Sequence, residues 1–141
     1  MLTPRVVLDT NVLVAALRSE AGASFQIVSA IGQGLFDFVL SVPLVLEYEH
    51  ALLDNRPPGV AGSDVDALLD YVCAVGQQQP IFYLWRPGLR DPKDDLVLEV
   101  AVAGECEAIV THNQRHFGGV ERFGVTALTP SAFWGQIGGS R

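Results

Sequence analysis

Short, continuous runs of apolar residues alternate along the chain with longer segments whose apolar residues recur at helical spacing. Continuous apolar runs are typical of strands that are covered on both faces, as in a parallel sheet. The predicted strands span residues 5–9, 36–42, 81–85, 108–111 and 125–128. The predicted helices span 11–18, 24–31, 43–54, 63–75, 91–104 and 130–137. This alternation predicts an α/β fold, a three-layer α/β/α sandwich with a central parallel five-stranded sheet.

Residues at several predicted boundaries support these assignments. Ser24 is placed to cap the second helix, and Ser63 with Asp66 has the spacing of a capping box. Asp91 followed by Pro92 provides a cap and a proline for the first turn of the fifth helix. The polar segment 77–80, which ends in proline, is predicted to terminate the fourth helix.

The chain has 141 residues, of which 49% are hydrophobic and 18% are charged, so it can bury a substantial core. We therefore predict a single domain over residues 1–141. No apolar run reaches the roughly 18 residues that a membrane span needs. The first residues lead directly into a predicted strand, so we expect no signal peptide and a cytoplasmic protein.

The net charge of −7 argues against broad electrostatic binding of nucleic acid. A local basic patch or a bound cation can nevertheless reverse the field at one cleft. Arg90 and Lys93 lie close together in the sequence, and Arg115 lies between His112 and His116. These side chains are either ordinary surface charge or a rim that contacts phosphate.

Four polar residues follow four different predicted strands. Asp9 ends the first strand, and Glu47 lies about one turn into the helix after the second. Asp94 lies in the first turn of the helix after the predicted third strand, and Asn113 comes two residues after the fourth. Because parallel strands present their carboxyl ends at one edge, these side chains can meet in a single cleft.

Each acid alone also has a structural explanation. Asp9 can cap a helix, and the charges of Asp94 and Asp95 are favourable at a helix amino terminus. Together, however, crowded carboxylates repel each other, and a divalent cation would remove that penalty. Ligation by oxygen alone suits Mg²⁺ or Mn²⁺, which can activate water for phosphodiester hydrolysis.

Four segments in series resemble the PIN domains, and more narrowly the VapC-like toxin ribonucleases of bacterial toxin–antitoxin pairs. They are VLDTNVLV at 7–14, SVPLVLEYE at 41–49, RDPKDDLVLEVA at 90–101 and IVTHNQRHF at 109–117. The resemblance implies an endoribonuclease that uses Mg²⁺ or Mn²⁺, acts on RNA, forms a homodimer and is neutralised by an antitoxin protein.

The resemblance also implies roles for individual residues. Asp9, Glu47 and Asp94 match the metal-binding acids, and Asn113 stands where many relatives have a fourth catalytic acid. The expected supporting residues are Thr10, Asn11, Asp95 and Thr111. The expected substrate contacts are Arg90, Lys93 and Arg115.

Three other functions can be weighed against this one. A phosphatase with an aspartyl nucleophile would need a general acid at the position of Asn11, and an amide cannot donate that proton. A receiver domain would need a lysine at the end of a later strand, whereas the only lysine is Lys93. A catalytically weak or inactive PIN-like module that binds RNA or protein remains the alternative, because Asn113 carries no charge.

Overall fold

The computed structural model describes residues 3–81, 89 and 91–138 of the chain. The strands are β1 (Arg5–Leu8), β2 (Asp37–Leu40), β3 (Gln77–Gln78), β4 (Ala108–Val110) and β5 (Thr126–Leu128). The helices are α1 (Thr10–Arg18), α2 (Ala23–Ser29), α3 (Val42–Asp54), α4 (Gly62–Val75), α5 (Pro92–Ala103) and α6 (Pro130–Ile137). Two short 3₁₀ turns, Gln114–Phe117 and Val120–Phe123, lie between β4 and β5.

The strands form one five-stranded sheet in the order β3-β2-β1-β4-β5, and all neighbouring strands run parallel. Strand β1 lies in the middle, where Val6 pairs with Phe38 of β2 on one side and Ala108 of β4 on the other. The strand order reverses beside β1, which is where ligands bind in open parallel sheets. The predicted α/β/α architecture with a parallel five-stranded sheet is confirmed.

The core lies on both faces of the central strands. Val6, Val7 and Leu8 of β1 are fully buried, which explains why this strand is apolar at successive positions. Helix α5 packs against β1, β2 and β4, while the other helices contact one another in series from α4 through α3, α1 and α2 to α6. Phe36 and Phe133 meet edge to face with ring centroids 5.4 Å apart, so α6 is fixed close to the start of β2.

The third strand differs from its prediction. Apart from Ile81, the predicted strand 81–85 lies outside the described residues, and Ile81 is not in a strand. Gln77 and Gln78, predicted to end a helix, instead pair with Val39 and Leu40 as β3. Gly76 permits the tight turn between α4 and β3, because a Cβ there would lie 2.6 Å from the carbonyl oxygen of Val72.

Two predicted caps are wrong. Ser24 lies inside α2, whose N-cap is Gly22, because the hydroxyl of Ser24 is used in a tertiary hydrogen bond. Helix α4 begins before Ser63, and Asp64 rather than Asp66 accepts a 2.8 Å hydrogen bond from the backbone of Ala61. The predicted cap at Asp91 is present, since its Oδ1 accepts a 2.9 Å hydrogen bond from the backbone N–H of Lys93.

Among the helices that the structure describes, none combines the length and the apolar character that a membrane span requires.

Candidate active site

Asp9 follows β1 directly and stands at the point where the strand order reverses. Its Oδ1 accepts a 2.8 Å hydrogen bond from the backbone N–H of Thr10, and its Oδ2 accepts a 2.7 Å hydrogen bond from the hydroxyl of Thr111. Burial raises the pKa of the Asp9 carboxyl above its usual value, although both hydrogen bonds and the nearby His116 and His112 lower it. The side chain is therefore oriented by two donors in a place that penalises its charge.

Thr111 and its neighbours connect the loop after β4 to the start of α1. The hydroxyl of Thr111, which is fully buried, also accepts a 3.0 Å hydrogen bond from the backbone N–H of Asn113. One residue along, the backbone N–H of His112 donates a 3.3 Å hydrogen bond to Oδ1 of Asn11. Thr10, Asn11 and Thr111 therefore all make hydrogen bonds where the start of α1 meets the loop after β4.

Tyr48 of α3 makes a hydrogen bond to the end of β1. It was not predicted as a site residue. Its fully buried hydroxyl donates a 2.5 Å hydrogen bond to the carbonyl oxygen of Leu8, the residue before Asp9. Burial, followed by the charge of Asp9, raises the pKa of Tyr48 well above its ordinary value. The spacing of Leu44, Tyr48 and Leu52 on one helix face could have indicated its burial, but not its partner.

Asp94 lies in the first turn of α5 and is only 7% exposed. Burial raises the pKa of its carboxyl to about 6, and the negative charges of Asp9 and Asp91 contribute to this rise, while His116 lowers it. His116 Nδ1 lies 3.2 Å from Asp94 Oδ2. Asp9 is therefore close enough for its charge to disfavour the ionisation of Asp94, as expected for acids at one edge of the sheet.

Asp95, beside Asp94, has a different environment. Its side chain is 5% exposed, and its Oδ1 accepts a 3.2 Å hydrogen bond from the backbone N–H of Leu89. This contact holds Leu89 against the first turn of α5. Asp95 therefore supports the position of the helix that carries Asp94.

Glu47 contacts the first turn of α5, at the residue before Asp94. Its Oε2 lies 3.8 Å from Nζ of Lys93, and its side chain is 13% exposed. Within residues 3–81, 89 and 91–138, no three His, Cys, Asp or Glu side chains are grouped closely enough to hold a metal ion. The structure thus brings Asp9 and Asp94 together and pairs Glu47 with Lys93, the residue before Asp94.

Three further predicted residues lie at the surface. Asn113 and Arg115 are exposed in the loop after β4, and Lys93 is 61% exposed at the start of α5. Arg90 lies outside the described residues. Arg115 and His116 line a cavity of about 800 Å³ together with Asp94 and Asp91. A substrate in this cavity would touch both cationic and acidic side chains.

The protein therefore has a parallel α/β fold, and Asp9 and Asp94 form a polar site at its topological switch point. A family model of the PIN domain matches residues 5–115, and the chain belongs to the PIN-domain family. Proteins of this family are generally nucleases.

A solved structure has the same fold. The chain is similar to one in the crystal structure of VapBC2 from Rickettsia felis bound to a DNA fragment from their promoter, with a TM-score of 0.59 and 15% sequence identity. The similarity covers 87% of this chain and 98% of that chain. No curated protein matches the sequence.

Proposed function

We propose that this protein is an endoribonuclease that hydrolyses RNA phosphodiester bonds and depends on Mg²⁺ or Mn²⁺. One observation carries the proposal: Asp9 and Asp94 come from separate elements, lie together at the switch point, and both have a raised carboxyl pKa. Folding alone gains nothing from two buried acids that repel each other, whereas a bound cation would offset their charges.

The side chains present fit such an ion. Mg²⁺ is typically bound through one or two carboxylates while it keeps several waters and contacts substrate phosphate. Each oxygen of Asp9 accepts one hydrogen bond within the protein and retains capacity to accept another interaction. Asp9 and Asp94 would hold the ion, and Glu47 would contribute only after separating from Lys93.

The chain's own residues would prepare the cleft for reaction. A bound divalent ion supplies a nucleophile by lowering the pKa of water and stabilises negative charge at the attacked phosphate. Thr10 and Thr111 orient the carboxylate of Asp9, and Tyr48 fixes the end of β1 that carries it. Arg115 and Lys93 would bind phosphates, and Asn113 would orient water or substrate through its amide.

Substitution of Asp9 by asparagine is the direct test. An asparagine at this position keeps the shape of the side chain and one acceptor oxygen, so we expect a folded protein that no longer cleaves RNA in Mn²⁺. The matched control is Asp66→Asn, an exposed acid on α4, which should retain full activity. Full cleavage by Asp9→Asn, or by the wild type in EDTA, would contradict the mechanism.

The biological setting is part of the same proposal: a single-domain cytoplasmic toxin that forms a homodimer and is neutralised by an antitoxin. The similarity in fold to a chain of VapBC2 supports it. Expression in a bacterium should arrest growth, and Asp9→Asn should not. Co-expression of a small DNA-binding protein encoded beside the gene should restore growth. Equal toxicity of wild type and Asp9→Asn would contradict this role.

A second candidate is a catalytically weak or inactive module that binds RNA or protein. The pairing of Glu47 with Lys93, together with the absence of a three-residue metal cluster within the described part of the chain, favours it. Such a module would bind its partner equally well with and without divalent ions, and purified protein would leave RNA intact.

A further inference from the structure

A small cavity lies near Asp9, apart from the large cavity that contains Asp94. It measures about 260 Å³ and lies between α1, the start of α2 and the start of α6. Its walls include the small side chains of Ala15 and Ala23 and the ring of Pro130. Pockets for drug-sized ligands measure roughly 300–1,000 Å³, so this cavity is on the scale of a single ring system. We call it the His112 cavity.

His112 forms the wall of this cavity nearest the acids. Its Nε2 lies 2.9 Å from the hydroxyl of Ser24, which is itself 4% exposed and lines the same cavity. Its backbone N–H is bonded to Asn11, and its charge lowers the pKa of the Asp9 carboxyl. His112 is an exposed residue, and the hydrogen bond with Ser24 orients its imidazole at the wall of the cavity.

The His112 cavity is the first of three cavities that share lining residues. His112 also lines a second cavity of about 360 Å³, formed by residues 112–116. Arg115 and His116 line both that cavity and the cavity of about 800 Å³ that contains Asp94. Three cavities with shared walls thus run across the carboxyl edge of the sheet, and the loop after β4 contributes to all of them.

We infer that the His112 cavity binds one unpaired base of single-stranded RNA, at a nucleotide separated along the strand from the phosphate beside Asp94. This inference rests on the proposed function for the identity of the strand. Single-stranded RNA is recognised by bases that turn out of the strand and stack on aromatic or histidine side chains. The small apolar walls would enclose the flat faces of the base, and the exposed Ser131 at the cavity could offer its hydroxyl to the edge of the base.

Filling the cavity tests the inference without altering the acids. Ser131 lines the cavity and is exposed at the start of α6, whereas the next residue, Ala132, is also exposed but does not line it. We would measure binding of a fluorescent single-stranded RNA hexamer by anisotropy in EDTA, for wild type, Ser131→Phe and Ala132→Phe. A stacked base contributes roughly 1–3 kcal/mol, so Ser131→Phe should weaken binding by roughly five- to 150-fold. Ala132→Phe should bind as the wild type does.

A second pair of variants tests the stacking itself. His112→Phe keeps a ring and should retain most of the affinity, whereas His112→Ala should lose as much as Ser131→Phe. Hexamers of the four homopolymers should differ in affinity for the wild type, and Ser131→Phe should reduce that difference. Equal affinity of Ser131→Phe and Ala132→Phe, equal loss in both His112 variants, or no binding by the wild type in EDTA would overturn the inference.

Binding in EDTA tests the base-binding cavity, and cleavage in Mn²⁺ tests the proposed nuclease, so either proposal can be rejected without the other. Cleavage that needs Asp9 but is indifferent to Ser131→Phe would retain the proposed function and reject the base-binding cavity. Binding that needs an open His112 cavity, without any cleavage in Mn²⁺, would retain the cavity and reject the nuclease.

Discussion

The hydroxyl of Thr111 donates a 2.7 Å hydrogen bond to Oδ2 of Asp9, although the two residues are 102 positions apart in the chain. The contact exists because β1 and β4 are neighbours in the sheet, with Leu8 paired to Val110 immediately before these residues. The register of two strands therefore determines how the carboxylate of Asp9 is oriented.

Replacing Thr111 by valine removes this donor while it keeps the shape of the side chain. We expect the free energy of unfolding to fall by about 1–3 kcal/mol, because buried Asp9 loses a partner. The pKa of Asp9 should rise further, since the hydrogen bond from Thr111 now lowers it. Urea unfolding would measure the loss of stability. The pH dependence of Mn²⁺ binding would measure the change in the pKa of Asp9. Thr111→Ser, which keeps the hydroxyl, should lie close to wild type; equal losses in both variants would contradict this role.

The metal-free protein should become less stable as the pH rises through the pKa of Asp94. The carboxyl titrates at about 6 in the folded chain against 3.8 as its ordinary value, so the folded state holds this proton more tightly than the unfolded state. The contribution is fully present below about pH 4 and is lost as the pH passes about 6. Thermal unfolding in EDTA would measure it.

Asp94→Asn removes this titration. The variant should show a flatter dependence of its midpoint temperature on pH between about 4 and 6, and it should be more stable than wild type at about pH 8. Asp66→Asn, at an exposed position on α4, should keep the wild-type dependence. Superimposable curves for Asp94→Asn and wild type would show that the Asp94 carboxyl titrates normally.

Mn²⁺ should stabilise the protein against heat. An ion that binds only the folded state contributes about 2.7 kcal/mol at a concentration of about one hundred times its dissociation constant. Asp94→Ala should abolish the increase in midpoint temperature, while Glu47→Gln should retain part of it, since Glu47 is paired with Lys93. A wild type that does not respond to Mn²⁺ would favour the binding module.

Arg115 should contribute to RNA binding through charge alone. It is exposed and lines two of the three cavities, so Arg115→Ala should leave stability nearly unchanged but weaken binding. The slope of log affinity against log salt should fall by about 0.7, the value for one contact to a single strand. Anisotropy at several salt concentrations would measure it. Arg56→Ala, in the loop after α3, is the matched control, and an equal effect there would indicate non-specific attraction.

The architecture was predictable from the sequence because the patterns that determine it are local. Continuous apolar runs such as Val6 to Leu8 are typical of strands with both faces covered, and these three residues are fully buried. Strand β3 was missed because its two glutamines are exposed at the sheet edge and pair with β2 through the backbone. Such pairing leaves no hydrophobic pattern to detect.

The candidate site was predictable only in part, for a related reason. Strand ends identify which edge receives Asp9 and Asp94, and the structure places both acids there. The orientation of Glu47 depends on Lys93 across a contact between two helices, and no spacing in either segment encodes it. The bond between Ser24 and His112 spans 88 positions, and capping chemistry offered a simpler local explanation for that serine.

The loop after β4 contributes both to the orientation of Asp9 and to the walls of the cavities. Thr111 holds the carboxylate of Asp9, and the next five residues form walls of all three cavities. If the proposed function is correct, a substitution there that alters which nucleotides bind would lie close to the acid that acts on them. Variants with altered sequence preference but undiminished turnover are therefore to be sought on α6, at positions such as Ser131, which line a cavity from an element that does not carry the acids.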